Sequence, residues 1–227
     1  MKPRLASAER RQSIVDAAVL LFARKGFSGT TTRQIAEAAG VSEALVFKYF
    51  ASKTALYEAI FADCGEVNSA LQQLQQMPPS TKALVEIVEN VFAHFTQLDQ
   101  WTERDQAHHR LFLHSLLEDG EFARTGLNAF ADCLMPLLEP CLEAARAAGD
   151  LTPQAPSARA AFWFMAQTPL MLGSLALTGT EHAMGGFSHD EMLRGILRGI
   201  GVREEAISLY CHPGRVEAPP APLAATG

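Results

Sequence analysis

The chain has 227 residues, 48% of them apolar, and a formal charge of −6. That length suits one small and one larger helical domain, and that apolar content supplies a real core, which excludes a disordered chain. An acidic total argues against a uniformly basic nucleic-acid binder, but the charge is uneven. Residues 1–60 hold nine Lys/Arg against five Asp/Glu, a formal +4, which leaves −10 for the remainder. The N-terminal part is therefore the part suited to phosphates. Cysteines 64, 133, 141 and 211 have neither C-x-x-C nor metal-ligand spacing, as expected of reduced thiols in a cytoplasmic protein with no metal and no cofactor. The charged, polar N-terminus is unlike a signal peptide. Residues 160–177 are uncharged and just long enough to span a membrane, yet they contain Gln167, Thr168, Pro169 and Ser174 and lack basic flanks. A helix buried between subunits explains them better.

The predicted elements are all helical. Residues 1–7 read as a basic arm. Residues 8–25 form a helix with Ile14, Ala18, Leu21 and Phe22 on its buried stripe and Arg24 and Lys25 at its negative end; Gly26 stops it. Two short helices follow, 32–39 and 43–50. Thr31 and Gln34 make a capping box for the first, and Ser42 caps the second. Between them, Gly40 can take a left-handed turn; Ala36 is small enough for close packing, and Val46 supplies an apolar anchor. Ser52 caps a fourth helix that starts at Lys53 and extends past Phe61, to Gln76 at most. Pro78-Pro79-Ser80 is a break. Residues 82–98 are amphipathic, with Leu84, Ile87, Val88, Val91, Phe92 and Phe95 on one face. Residues 102–117 carry Leu111, Leu113, Leu116 and Leu117. Residues 121–148 form a long helix in which Pro136 and Pro140 should produce a kink. Residues 157–177 are the apolar helix; Ser188 and Glu191 open another to about 199, and 204–210 form a short last helix. The tail, 211–227, is too poor in large apolar groups to fold.

The string in residues 30–56 has the layout of a DNA-reading helix-turn-helix. Phe22…Gly26-Phe27, Thr31-Thr32…Ile35-Ala36, Ala39-Gly40-Val41-Ser42, Phe47-Lys48-Tyr49-Phe50 and Ser52-Lys53-Thr54-Ala55-Leu56 together resemble the DNA-binding domain of the tetracycline-repressor (TetR) family. The match covers residues 13–61. Glu43, Ala44, Leu45 and Phe47 stand where Lys, Gly, Thr and Tyr are common, which bears on the operator sequence and not on the fold. The resemblance implies an all-α protein: a three-helix DNA-binding head over 1–52, then a helical ligand-sensing and dimerisation domain over 53–210.

Candidate DNA-binding residues follow. Thr31, Thr32 and Arg33 open a helix whose N–H groups suit phosphate, although plain capping explains them too. Ser42 to Lys48 is the candidate reading helix, since an α-helix fits the major groove. Glu43 could accept from cytosine N4 or merely favour the helix N-terminus. Ala44 could touch a thymine methyl, Lys48 suits phosphate better than guanine, and Phe47 is assigned to packing. The resemblance puts Tyr49 and Lys53 at phosphate-contacting positions; Phe50 is core.

The histidines show no H-E-x-x-H, and no nucleophile-base spacing supports an enzyme around residues 108–121. The resemblance also implies an apolar sensor cavity and a small-molecule effector. His94, Trp101, Phe112, His114, Phe130 and Met165 are its candidate lining residues, though large apolar groups at helical spacing are usually core. The expected function is a homodimeric transcription regulator, most often a repressor, paired through residues 157–177 and 188–199 on a palindromic operator and released by an apolar or aromatic molecule. The alternative is a DNA-binding regulator controlled by a protein partner with no small-molecule inducer.

Overall fold

The computed structural model describes residues 7–63, 74–96, 101–176 and 188–211. The far end of the fourth predicted helix, the tail after Cys211, most of the basic arm and Cys64 lie outside them. The described residues form α1 (Ser7–Lys25), α2 (Thr32–Ala38), α3 (Glu43–Tyr49), α4 (Lys53–Asp63), α5 (Thr81–Thr96), α6 (Glu103–Leu117), α7 (Glu121–Ala147), α8 (Ala158–Ala176), α9 (His189–Gly199) and α10 (Glu204–Tyr210). Among them the only β pairing is an isolated bridge, Leu151 with Val202. No helix of the described residues is long and apolar enough to cross a membrane.

The chain divides into two compact units. The first takes residues 1–66 and 100–129, and the second takes 67–99 and 130–227. This division differs from the boundary expected after residue 52, and the reason lies in the core. Ile14, Val15, Ala18, Val19 and Phe22 of α1 meet Ile35 and Ala36 of α2 and Val46 of α3. Leu56, Tyr57 and Ile60 of α4, Ala107 and Leu111 of α6, and Phe122 complete the same cluster. Three short helices bury too little apolar surface alone, so α4 and α6 close the head against α1. α6 packs through Ala107, Leu111 and Ser115, at i, i+4 and i+8, whereas Leu116 and Leu117 are 51% and 88% exposed. The run of leucines in the sequence pointed to the wrong face there.

Tyr57 sits in this core among aromatic rings, 5.1 Å from Phe22, 4.8 Å from Phe27 and 5.1 Å from Phe122. Burial pushes its hydroxyl up to about 12; a hydrogen bond with Ser115 opposes this, while the charges of Asp119, Glu118 and Glu121 add to it. Ser115 also donates to Asp119 (3.2 Å) and accepts from the Ala123 amide (3.1 Å), tying the α6–α7 turn together. Gly26 has a φ of 70°, and a Cβ there would collide with the Glu118 carboxylate.

The second unit is organised round α5. Leu84, Val85, Ile87, Val88, Val91 and Phe92 meet Leu134, Leu138, Leu142 and Ala145 of α7, Ala161, Phe162 and Met165 of α8, and Leu193, Ile196 and Leu197 of α9. α7 is one helix, as expected, and it continues through Pro136 and Pro140. Pro136 and Asp132 are both exposed, so water can meet the carbonyl that the proline leaves without a partner. Contacts distant in sequence lock the end of this unit. The Thr152 amide donates to the Gly201 carbonyl (2.8 Å), the Arg203 amide to the Asp150 carbonyl (2.9 Å), and the Thr81 hydroxyl to the Asp150 carboxylate (2.6 Å). Cys133, Cys141 and Cys211 are free thiols, as expected.

Two predictions follow from the packing. Leu138→Ala should destabilise the protein by about 2–5 kcal/mol in urea titration, against less than about 0.5 kcal/mol for the exposed neighbour Glu139→Ala. Tyr57 has a folded pKa above its unfolded value near 10.0, so its contribution is complete below pH 10 and is lost as pH rises toward 12. Tyr57→Phe should therefore lose less stability than the parent chain across that window, as measured by chemical unfolding at each pH.

Candidate nucleic-acid interface

The helix-turn-helix is built by local rules. Thr31 caps α2: its hydroxyl accepts from the Gln34 amide, and the Gln34 side chain accepts from the Thr31 amide, both at 3.2 Å. α2 ends in a Schellman motif. Gly40, at φ 66°, donates to the Glu37 carbonyl (3.1 Å), and Val41 donates to the Ala36 carbonyl (2.9 Å). This reverses the chain within two residues. Ser42 then caps α3 by accepting from the Leu45 amide at 3.2 Å. Buried Ile35, Ala36 and Val46 fasten both helices to α1.

That anchoring decides what α3 presents outward. Val46 and Phe50 are buried, and Leu45 and Tyr49 are half-buried. Glu43, Ala44, Phe47 and Lys48 are exposed and share the opposite arc, since positions four apart lie one above the other. Phe47 was assigned to packing, and the structure corrects this: it is 48% exposed, because Val46 and Phe50 already fill the available core. Arg33 and Thr31 are exposed on α2 beside this arc in sequence, and Thr32 is half-buried.

Five sets of side-chain contacts escaped the sequence reading. The Thr32 hydroxyl donates to the Glu43 carboxylate at 2.6 Å, joining the starts of α2 and α3. Glu43 is therefore held by a partner within the head. Lys53 is half-buried; its ammonium donates to the Phe27 carbonyl (2.6 Å) and the Thr30 carbonyl (3.0 Å) and lies 4.1 Å from the centre of the Phe27 ring. Two of its three donors thus fix the α1–α2 loop, which leaves one for a phosphate. Thr30, itself 1% exposed, donates to the Gly26 carbonyl at 2.9 Å. The Tyr49 hydroxyl is 3.1 Å from that of Ser7, and the Arg11 guanidinium lies 5.1 Å over the Phe50 ring. Apart from Thr30 with Gly26, spacing along one helix cannot show such pairs, since the hydrogen-bond partners lie 11 to 42 residues away.

The six candidate effector residues are divided between the two units. Phe130 and Met165 belong to the second; Met165 is 1% exposed, and Phe130 lies 5.6 Å from Phe162 and 6.3 Å from Phe95. His94 is in that unit too, but it is exposed, which corrects the expectation of an interior polar group. Trp101, Phe112 and His114 belong to the first unit. Trp101 lies 5.0 Å from buried His109, and Phe112 packs on the head core. His114 lines an open recess of about 250 Å³ with Ala23, Arg110, Leu113 and Leu117. Among the described residues no three His, Cys, Asp or Glu side chains group to hold a metal.

The comparisons agree with this geometry. Residues 14–60 match the family described as "Bacterial regulatory proteins, tetR family". The chain is 49% identical over 49 residues to the HTH-type transcriptional regulator YvkB of Bacillus subtilis, which is 22% of this chain and 26% of YvkB. It is 26% identical to the HTH-type transcriptional regulator AcrR of Shigella flexneri, over 66% of this chain and 72% of AcrR. The chain spans about a quarter of YvkB's length, and 57% and 61% of the length of two further curated relatives. Among solved structures it is similar to NalD of Pseudomonas aeruginosa, the secondary repressor of the MexAB-OprM multidrug efflux pump. That likeness has a TM-score of 0.63 and 25% identity and covers 87% of this chain and 98% of NalD.

Lys53→Ala should lower the stability of the head by about 1–3 kcal/mol, because two carbonyls lose a charged donor. Lys48→Ala, at an exposed site, should leave the melting temperature unchanged; differential scanning calorimetry separates the two. Over residues 14–60 the chain matches the TetR family of bacterial regulatory proteins, and the described residues form a helical fold similar to that of NalD.

Proposed function

We propose that the protein is a dimeric transcription regulator that binds a palindromic operator and acts as a repressor released by an apolar or aromatic small molecule. The observation that carries the DNA-binding part is the outward arc of α3, held at a fixed angle by the Gly40 turn and flanked by the exposed cations Arg33 and Lys48. The helix starts at Thr31, Thr32 and Ser42 place backbone amides and hydroxyls where they suit phosphate oxygens. Ala44 suits an apolar base edge, Lys48 a phosphate, and Tyr49 and the remaining Lys53 donor the backbone on either side. The formal +4 of residues 1–60 supports the same reading. The test is selection from random duplex DNA. A defined sequence should be enriched, with affinity falling steeply as salt rises; enrichment of no sequence at low salt refutes the reading.

Dimerisation through α8 and α9 is supported by an exposed apolar face. Trp163, Phe164, Met171 and Leu175 are 39%, 46%, 58% and 37% exposed, and they recur along one side of α8. Phe164 lies against Gly199 of α9, where any Cβ would collide with its ring, so the two helices present one surface. A second copy covering it would bury these rings, and two-fold symmetry would require a palindrome with half-sites about 34–36 Å apart. Met171→Asp should yield a monomer in sedimentation and abolish operator binding together. Leu172, half-buried against the core, is a poorer choice because a charge there would also disturb folding.

For the effector, Phe95, Phe130 and Phe162 with Met165 would give an apolar wall, and binding there would alter the spacing of the two heads. Close packing in this unit, with Phe162 at 2% and Met165 at 1% exposure, favours the second reading: control by a protein partner. A thermal-shift screen of apolar compounds, followed by DNA-release assays, separates the two. An inducer must bind the DNA-free form more tightly, by about 1.4 kcal/mol for each tenfold loss of operator affinity.

A further inference from the structure

The outer arc of α3 has an unusual centre. Its margins are Glu43 and Lys48, and Ala44 and Phe47 lie between them. The Glu43 carboxylate accepts from the Thr32 hydroxyl at 2.6 Å, so it is drawn toward α2 and away from the arc. Lys48 is a mobile point charge whose natural partner is a phosphate. What remains to meet a base edge is a methyl group and a phenyl ring. That ring is 48% exposed, is absent from the head's core cluster, and has no hydroxyl to give to the DNA backbone. Of the base atoms in the major groove, only the thymine C5-methyl group is apolar.

We infer that Phe47, with Ala44 beside it, reads a thymine by covering its 5-methyl group, and that this contact sets the sequence preference of each half-site. The inference rests on the DNA-binding reading above and adds to it the specificity-determining residue and the chemical group recognised. Exposed Arg33 on α2 and Lys48 on α3 give the arc the charge complementarity that a duplex requires. The geometry explains why an apolar ring stands on a surface that must meet a polyanion. Burial of a methyl group on both partners is favourable, and it discriminates thymine from cytosine without any hydrogen bond.

The test uses the full-length protein and the duplex enriched from random DNA. Each thymine of one half-site is replaced in turn by deoxyuridine, which removes the 5-methyl group and leaves pairing intact. At one thymine the change should weaken binding about fourfold, the effect of one buried methyl group. The same change should have no effect on Phe47→Ala, while Phe47→Tyr, which keeps the ring, should still respond. Phe47 contributes nothing to the core, so Phe47→Ala should melt with the parent, which separates a recognition defect from misfolding. Deoxyuridine having no effect at any thymine, or weakening Phe47→Ala as much as the parent, overturns the inference. So does a Phe47→Ala chain that binds as tightly as the parent. A selection that enriches no sequence is a different failure, that of the DNA-binding reading itself.

Discussion

Everything proposed for the head depends on one constraint, the close approach of α3 to α2 across the Gly40 turn. Two backbone hydrogen bonds, from Gly40 to Glu37 and from Val41 to Ala36, end α2 and reverse the chain in two residues. A side chain larger than Ala36 would hold the helices apart, and an L-residue with a Cβ would be strained at a φ of 66°. With that turn in place, Val46 enters the core and the opposite side of α3 has no choice but to face outward. The same constraint gives Glu43 its partner, because Thr32 and Glu43 meet only when the two helix starts are side by side.

The head is held together by contacts that its three central helices do not supply alone. Lys53 reaches back to two carbonyls of the α1–α2 loop, the Thr30 side chain of that loop is buried, and Tyr57 fills the space between Phe22, Phe27 and Phe122. α4 and α6 are therefore part of the head's own stability, and a boundary drawn after residue 52 would cut through its core. In the second unit, Asp150 has the equivalent role. It links Thr81 at the start of α5 to the turn between α9 and α10, and it closes the unit where periodicity shows only a loop.

What the sequence disclosed follows from the range of each interaction. Caps and turns are local, so Thr31 with Gln34, Gly40, Ser42 and the Ser188 box could be read directly, and each helix begins or ends within about two residues of its expected place. Periodicity shows that a helix has an apolar side but not what covers it. That is why the leucines at 116 and 117 misled, and why α6 joining the head was not foreseen. It also cannot rank apolar residues that compete for one core, so Phe47 read as packing although Val46 and Phe50 leave it no room. The long prolyl helix α7 stayed whole because Leu134, Leu138, Leu142 and Ala145 bury a continuous stripe that outweighs the few kcal/mol a proline costs. His94 follows buried Phe92 and Ala93 on α5 yet is itself exposed, a difference that sequence spacing does not reveal.

The central claim is that the exposed arc of α3, set by the α2–α3 turn, is the surface that meets DNA. Hydrogen–deuterium exchange of the full-length protein, with and without the selected duplex, tests it most directly. Bound DNA should slow exchange at the α2 start, around residues 31–34, and across α3 and the α4 start at Lys53, while the α5 amides of the second unit remain unchanged. Unchanged exchange over residues 31–53 with protection confined to the second unit would contradict it.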